Sequence, residues 1–153
     1  MKKPVPFWQL ALAATLGFLA YPGIPRSAPP DLNLQAQLVW GTNNDKPDDP
    51  KLKEVDPKVT DKLRGVFKWK NYFEVNRQKF AATASTPKKV KMSEECEIEV
   101  QNLGNSSVEL KLYGKGKMVV RKTQKIKSGE LLVLAGDDKN DTAWFVVLSL
   151  IEK

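Results

Sequence analysis

Apolar and polar residues alternate over several short windows of the chain, at the period of two expected of strands that bury one face. Leu32, Leu34, Ala36 and Leu38 alternate with Asn33, Gln35 and Gln37 before Val39 and Trp40. Cys96, Ile98 and Val100 alternate with Glu97, Glu99 and Gln101; Val108, Leu110 and Leu112 alternate with Glu109, Lys111 and Tyr113. Leu103, Gly104, Asn105 and Ser106 supply a turn between these two runs. A hairpin centred on Asn105 sets Ile98 opposite Leu112 and Val100 opposite Leu110 on one side, and Glu99 opposite Lys111 on the other. Apolar pairing and charge pairing choose the same register, the local consistency expected of a real hairpin.

The remaining windows are shorter or mixed. Tyr72 to Phe80 reads as a strand, with Phe67, Trp69, Phe73 and Val75 on one parity and Lys68, Lys70, Tyr72, Glu74 and Asn76 on the other. Gly114 and Gly116 mark a turn before a strand over Met118 to Val120, and Glu130 to Ala135 forms another after Ser128 and Gly129. A polar loop, Gly136 to Asp141, leads into Thr142 to Leu150, whose Ala143 to Leu148 portion is continuously apolar. Such a run suits a central strand covered on both faces, with Trp144 and Phe145 pointing to opposite sides.

One helix is expected. Asp56 followed by Pro57 combines an oxygen cap with proline at the first helical position, and Val59 and Leu63 supply an apolar face. Gly65 is the expected stop, taking the left-handed conformation, and the short helix is placed on the rim of the sheet. Short strands, frequent turn signals and at most one helix make residues 29–153 a single β-rich domain of mainly β class, an antiparallel β-sandwich or small barrel.

The first 28 residues break this pattern. Lys2 and Lys3 precede an apolar stretch whose core runs from Leu10 to Ala20, the layout of an export signal. Cleavage after Ala20 would put Phe18 three residues before the cut, and cleavage after Ala28 would put Arg26 there; neither fits the small-x-small pattern. Val5 to Ile24 approaches the ~20 apolar residues of a spanning helix, so an uncleaved anchor stays open beside a removed signal peptide. Pro22, Gly23, Pro25, Pro29 and Pro30 then make an extended spacer. The chain is therefore expected outside the cytoplasm, periplasmic, secreted or tethered to the membrane.

Composition narrows the chemistry. The 153 residues contain no His and one Cys. That removes imidazole acid-base and nucleophilic sites, histidine-ligated metals, internal disulfides and sites built from several thiolates. No cofactor, metal site or catalytic residue is assigned, and the chain is read as a non-enzyme. Ser85-Thr86-Pro87-Lys88 fits the S-x-x-K pattern of certain serine acyltransferases, but Pro87 opposes the helix that would bring Ser and Lys together. Asp137, Asp138, Asn140 and Asp141, like Asn44, Asp45, Asp48 and Asp49, suit solvated turns as well as calcium. Asn105-Ser106-Ser107 and Asn140-Asp141-Thr142 are glycosylation sequons by pattern, and both fall in turns. Cys96 shares the parity of Ile98 and Val100 and should face the core.

Charge leaves one candidate surface. The formal net charge is +7, and residues 110–127 hold seven basic residues and no acidic one, next to residues 93–109 with five acidic and no basic. Lys115, Lys117, Arg121, Lys122, Lys125 and Lys127 are the candidate anion-binding residues, with Trp69 and Tyr72 as candidate stacking residues for sugars or bases. Lysines also protect exposed sheet edges against aggregation, and export argues against nucleic acid. Two roles follow. The first is an exported, envelope-associated, non-catalytic domain that binds another envelope or extracellular protein, with strands able to extend the partner's sheet. The alternative is a binding module for anionic glycans or lipid head groups at a membrane surface, through the basic tract.

Overall fold

The structure is a computed structural model that describes residues 22–45, 47–136 and 142–151. In chain order its elements are β1 (Leu32–Thr42), β2 (Lys53–Glu54), α1 (Pro57–Arg64), β3 (Asn71–Ala82), β4 (Lys88–Lys91), β5 (Cys96–Gly104), β6 (Ser107–Gly114), β7 (Lys117–Lys125), β8 (Leu132–Ala135) and β9 (Thr142–Leu150). They form two antiparallel sheets, ordered β2-β3-β1-β9-β8 and β4-β5-β6-β7. The expected export segment up to residue 21 and the acidic loop at 137–141, with its sequon, lie outside the described residues. Among the described residues no helix is long and apolar enough to cross a membrane.

The sheets face each other across one core. Leu34, Ala36 and Leu38 of β1, Val146 and Leu148 of β9, and Leu132 and Leu134 of β8 meet Ile98 and Val100 of β5 and Val108, Leu110 and Leu112 of β6. Those of β1, β5 and β6 are the apolar members of the alternating windows, and those of β8 and β9 come from continuous apolar runs. The hairpin of β5 and β6 has the expected register, with Ile98 opposite Leu112, Val100 opposite Leu110 and Glu99 opposite Lys111. Its turn is tight because Asn105 and Ser106 both take positive φ, matching the twist of the flanking strands. Cys96 is buried in the same core, and loss of solvation pushes its thiol up to about 11.

A second apolar layer lies on the outer face of the five-stranded sheet. Val39, Tyr72, Phe145 and Val147 are covered there by Val55, Val59 and Leu63, with Phe67 and Trp69 packed alongside. The helix therefore lies across the sheet face rather than on the rim: an eight-residue helix with two buried side chains finds a partner only where strands expose apolar residues on both sides. Its cap is as expected, Asp56 Oδ1 accepting from the Lys58 amide at 2.9 Å. Its stop differs, because Gly65 has φ −67° and continues the right-handed conformation while its N–H bonds to Asp61 O. The apolar run in β9 divides as its length implied, with Phe145 and Val147 in the outer layer and Val146 and Leu148 in the inner one.

The mixed window around Tyr72 also resolves. Leu38 pairs with Asn76 but Val39 pairs with Glu74, which leaves Val75 as the extra residue of a bulge. The bulge turns Val75 to solvent, and Tyr72 and Glu74, not Val75, are buried. At the other end, buried Asn102 donates to Pro30 O at 2.8 Å and Ala82 O at 3.3 Å, and its own oxygen accepts from the Gly104 amide at 2.9 Å. The Pro-rich spacer is thus pinned to the body beside the β5–β6 turn.

Candidate functional site

The basic tract folds as β6, β7 and the loops around them. Gly114 pairs with Lys117, and Lys115 and Gly116 between them take φ of 50° and 75°, a two-residue turn that delivers a long strand. Sequence periodicity placed a strand only over Met118 to Val120, whereas β7 extends to Lys125. The reason is positional. β7 is the edge of its sheet, so beyond Val120 even its core-side positions, Lys122 and Gln124, are polar and exposed, and no apolar alternation marks them.

The ladder shows which way the backbone of this edge points. Ile126 N donates to Ser106 O at 2.8 Å, and the β6–β7 pairing continues in step through Lys125–Ser107, Gln124–Val108, Thr123–Glu109, Lys122–Leu110 and Arg121–Lys111. Bonded and non-bonded residues alternate in an antiparallel pair. Lys122 and Gln124 therefore direct their backbone groups to β6, while Arg121, Thr123 and Lys125 direct theirs to the open side. Beside them Met118 and Val119 are exposed, Val119 being the extra residue where the register shifts between Leu112 and Tyr113.

Charges on the solvent face of this sheet form rows across the strands. Lys111 contacts Glu99 at 2.6 Å and Glu109 at 3.6 Å, and Arg121 contacts Glu109 at 2.6 Å. Hydrogen bonds from the Arg121 guanidinium hold the Glu109 carboxyl below the usual carboxylate range, and the bond to Glu99 raises Lys111. A depressed carboxyl contributes stability that is complete above its unfolded pKa of about 4.3 and is lost as pH falls through the lower folded value. The urea midpoint is accordingly expected to fall as the pH drops below about 4.3, and Glu109→Gln to flatten part of that dependence. Equal pH profiles for the two proteins would mean the row contributes nothing.

The six candidate cations are not equivalent. Lys115 lies 4.0 Å from Glu95 and Lys127 lies 3.6 Å from Glu130, so with Arg121 three are already paired. Lys117, Lys122 and Lys125 have no ion partner among the described residues, and all three lie on β7. Trp69 and Tyr72 belong to the outer layer of the opposite sheet. Tyr72 is buried, and the Trp69 ring lies against Gly41, where an added Cβ would come within 3.0 Å of it. The structure does not bring these two rings to the basic strand.

Other motifs fall in simple places. Ser85 is in the turn between β3 and β4, beside Thr83, and Lys88 begins β4, so the two share no helix. Among the described residues no group of three acidic or thiol side chains could hold a metal. One polar cluster had no signal in the sequence. Gln37 and Glu74, 3% and 6% exposed, are joined by a 2.7 Å bond from Gln37 Nε2 to Glu74 Oε2, and Arg77 donates to both oxygens of Glu74. Gln37 and Arg77 line a cavity of about 310 Å³ near Asp56 and Lys58. Three donors to one carboxylate satisfy the charge within the fold, so the cluster serves to close the polar end of the outer layer.

No protein-family model, no curated protein and no solved structure matches the chain.

Proposed function

We propose that this chain is an exported, envelope-associated, non-catalytic domain that binds another protein by lending the β7 edge to a strand of its partner. The observation that carries the reading is the nine-residue β7, which has a neighbour on one side only and exposes the backbone of Arg121, Thr123 and Lys125 on the other. An exposed edge can accept a partner strand, and no described element covers this one, while its lysines and the Val119 bulge guard it against uncharged strands. The cationic leader and the Pro-rich spacer support presentation outside the cytoplasm. The glycan or lipid reading draws on the same lysines, but half of the candidate cations are already paired to glutamates.

The test uses Thr123→Cys in the full chain, since the native Cys96 is buried. A membrane-impermeant maleimide crosslinker is applied to intact cells that produce the protein. The expected result is labelling from outside, with a discrete adduct from position 123 and none from Lys62→Cys on the exposed side of α1. Protection from the reagent in intact cells would reject export. Equal adducts from both positions, or none from 123, would reject the edge as the contact.

A further inference from the structure

The partner's contribution to this edge can be specified further, and the specification rests on the proposed strand addition. We infer that the occupant of β7 is an extended segment of a different protein that carries acidic residues at alternate positions, aligned with Arg121 and Lys125. Three features lead to it. The backbone groups of Arg121, Thr123 and Lys125 require an occupant with its own N–H and C=O groups, which a polysaccharide or a lipid head group does not supply as a ladder. The side chains of these three residues share the solvent face of the sheet, so an occupant residue opposite Lys125 meets a cation with no ion partner among the described residues, and one opposite Arg121 meets a guanidinium that Glu109 already holds from the other side. On the core side stands Lys122, opposite Leu110 and without an ion partner among the described residues; it faces the positions between the acidic ones, so a polar residue such as threonine is needed there and a purely apolar occupant is disfavoured.

Charge also disfavours pairing of β7 with the β7 of a second copy in the registers that align its cations. A two-fold antiparallel pairing of β7 with itself centred on Arg121 sets Arg121 against Arg121. Centring on Lys122 opposes Lys122 to itself, and centring on Thr123 opposes Arg121 to Lys125. Head-to-tail growth through the other edge of the same sheet fails likewise, because β4 reads Lys88, Lys89, Val90, Lys91. Like charges directly across a strand pair are destabilising. Both edges of the sheet are basic, which favours an acidic strand on β7 over a second copy of either edge.

The test measures binding of a fluorescent nine-residue peptide alternating glutamate with valine and threonine to the full chain in neutral detergent micelles. Three comparison ligands are used: the peptide with lysine in place of glutamate, the glutamate peptide with alternate backbone amides N-methylated, and heparin or phosphatidylglycerol vesicles as polyanions without a ladder. The acidic peptide is expected to bind at least about tenfold more tightly than the other two peptides, and Lys122→Glu with Lys125→Glu to weaken it by about tenfold or more while leaving the melting temperature in place. Binding of the N-methylated peptide equal to that of the parent, or heparin or vesicle binding that responds to the same substitutions while the peptides do not bind, overturns the inference in favour of a polyanion surface. Loss of all preference for glutamate while the adduct from position 123 still forms in cells overturns the acidic occupant and leaves strand addition standing; loss of the adduct removes both.

Discussion

Phe145→Ala is expected to lower the stability of the folded chain by about 3–5 kcal/mol, the largest effect of any single substitution proposed for it. The side chain is almost fully buried in the outer layer, with its ring centroid 4.4 Å from that of Phe67 and 6.1 Å from that of Tyr72. Truncation removes the transfer energy of the ring and leaves a cavity beneath α1 that Val59 and Leu63, fixed on a short helix, can fill only in part. A urea titration read by far-ultraviolet circular dichroism should show the loss, with a fall in Tm of roughly 10 °C or more. A change below about 1 kcal/mol would mean that the helix and the aromatic layer are not packed on the sheet in solution.

Gly136→Ala is expected to cost about 2–3 kcal/mol for the opposite reason, too little space. Gly136 N donates to Trp144 O at 2.9 Å, so the two residues stand directly opposite each other at the end of the β8–β9 pair. The indole leans over the glycine, and a Cβ there would overlap the ring. The ring also reaches the other sheet, where a Cβ at Gly114 would lie 3.3 Å from it, so moving it aside disturbs both sheets. An aromatic side chain laid over an edge glycine covers backbone that the glycine leaves bare. The check is a double-mutant cycle: Trp144→Leu should cost less in the Gly136→Ala background than in the wild type, because there it also relieves the clash. Additive losses would show that the ring does not occupy that position.

Much of the fold was legible because one side of each strand had to be dry. In β1, β5 and β6 the inner residues are apolar and the outer ones polar, so alternation named the strands, and in the β5–β6 hairpin it also set the register. The helix cap was legible for a different reason. Asp56 satisfies a backbone N–H two residues away, a local bond that needs no tertiary partner. The position of the helix was not local: Val59 and Leu63 announce an apolar face without saying what it covers. The continuous apolar run in β9 was the trace of that second layer, and Tyr72 and Val39 join it from strands far away in sequence.

The candidate site divides along the same line. The run of cations was plain in the sequence, but which of them are free was not, because Glu95, Glu109 and Glu130 reach Lys115, Arg121 and Lys127 only through strand pairing and turns. The full length of β7 was hidden, since an edge strand can keep polar residues on its core side. The Gln37–Glu74–Arg77 cluster was hidden too, because its members are brought together by the pairing of β1 with β3 and by a bulge at Val75 that no residue type marks. What the sequence determined by itself were properties carried by neighbouring residues: strand period, turn and N-cap chemistry, and the absence of histidine and with it of imidazole chemistry. What only the tertiary structure decided were pairings between distant segments, namely the second core, the pairing of Lys115 with Glu95 and of Arg121 with Glu109, and the open side of β7. Their energies depend on which strand stands next to which, and nearest neighbours in the chain do not encode that order.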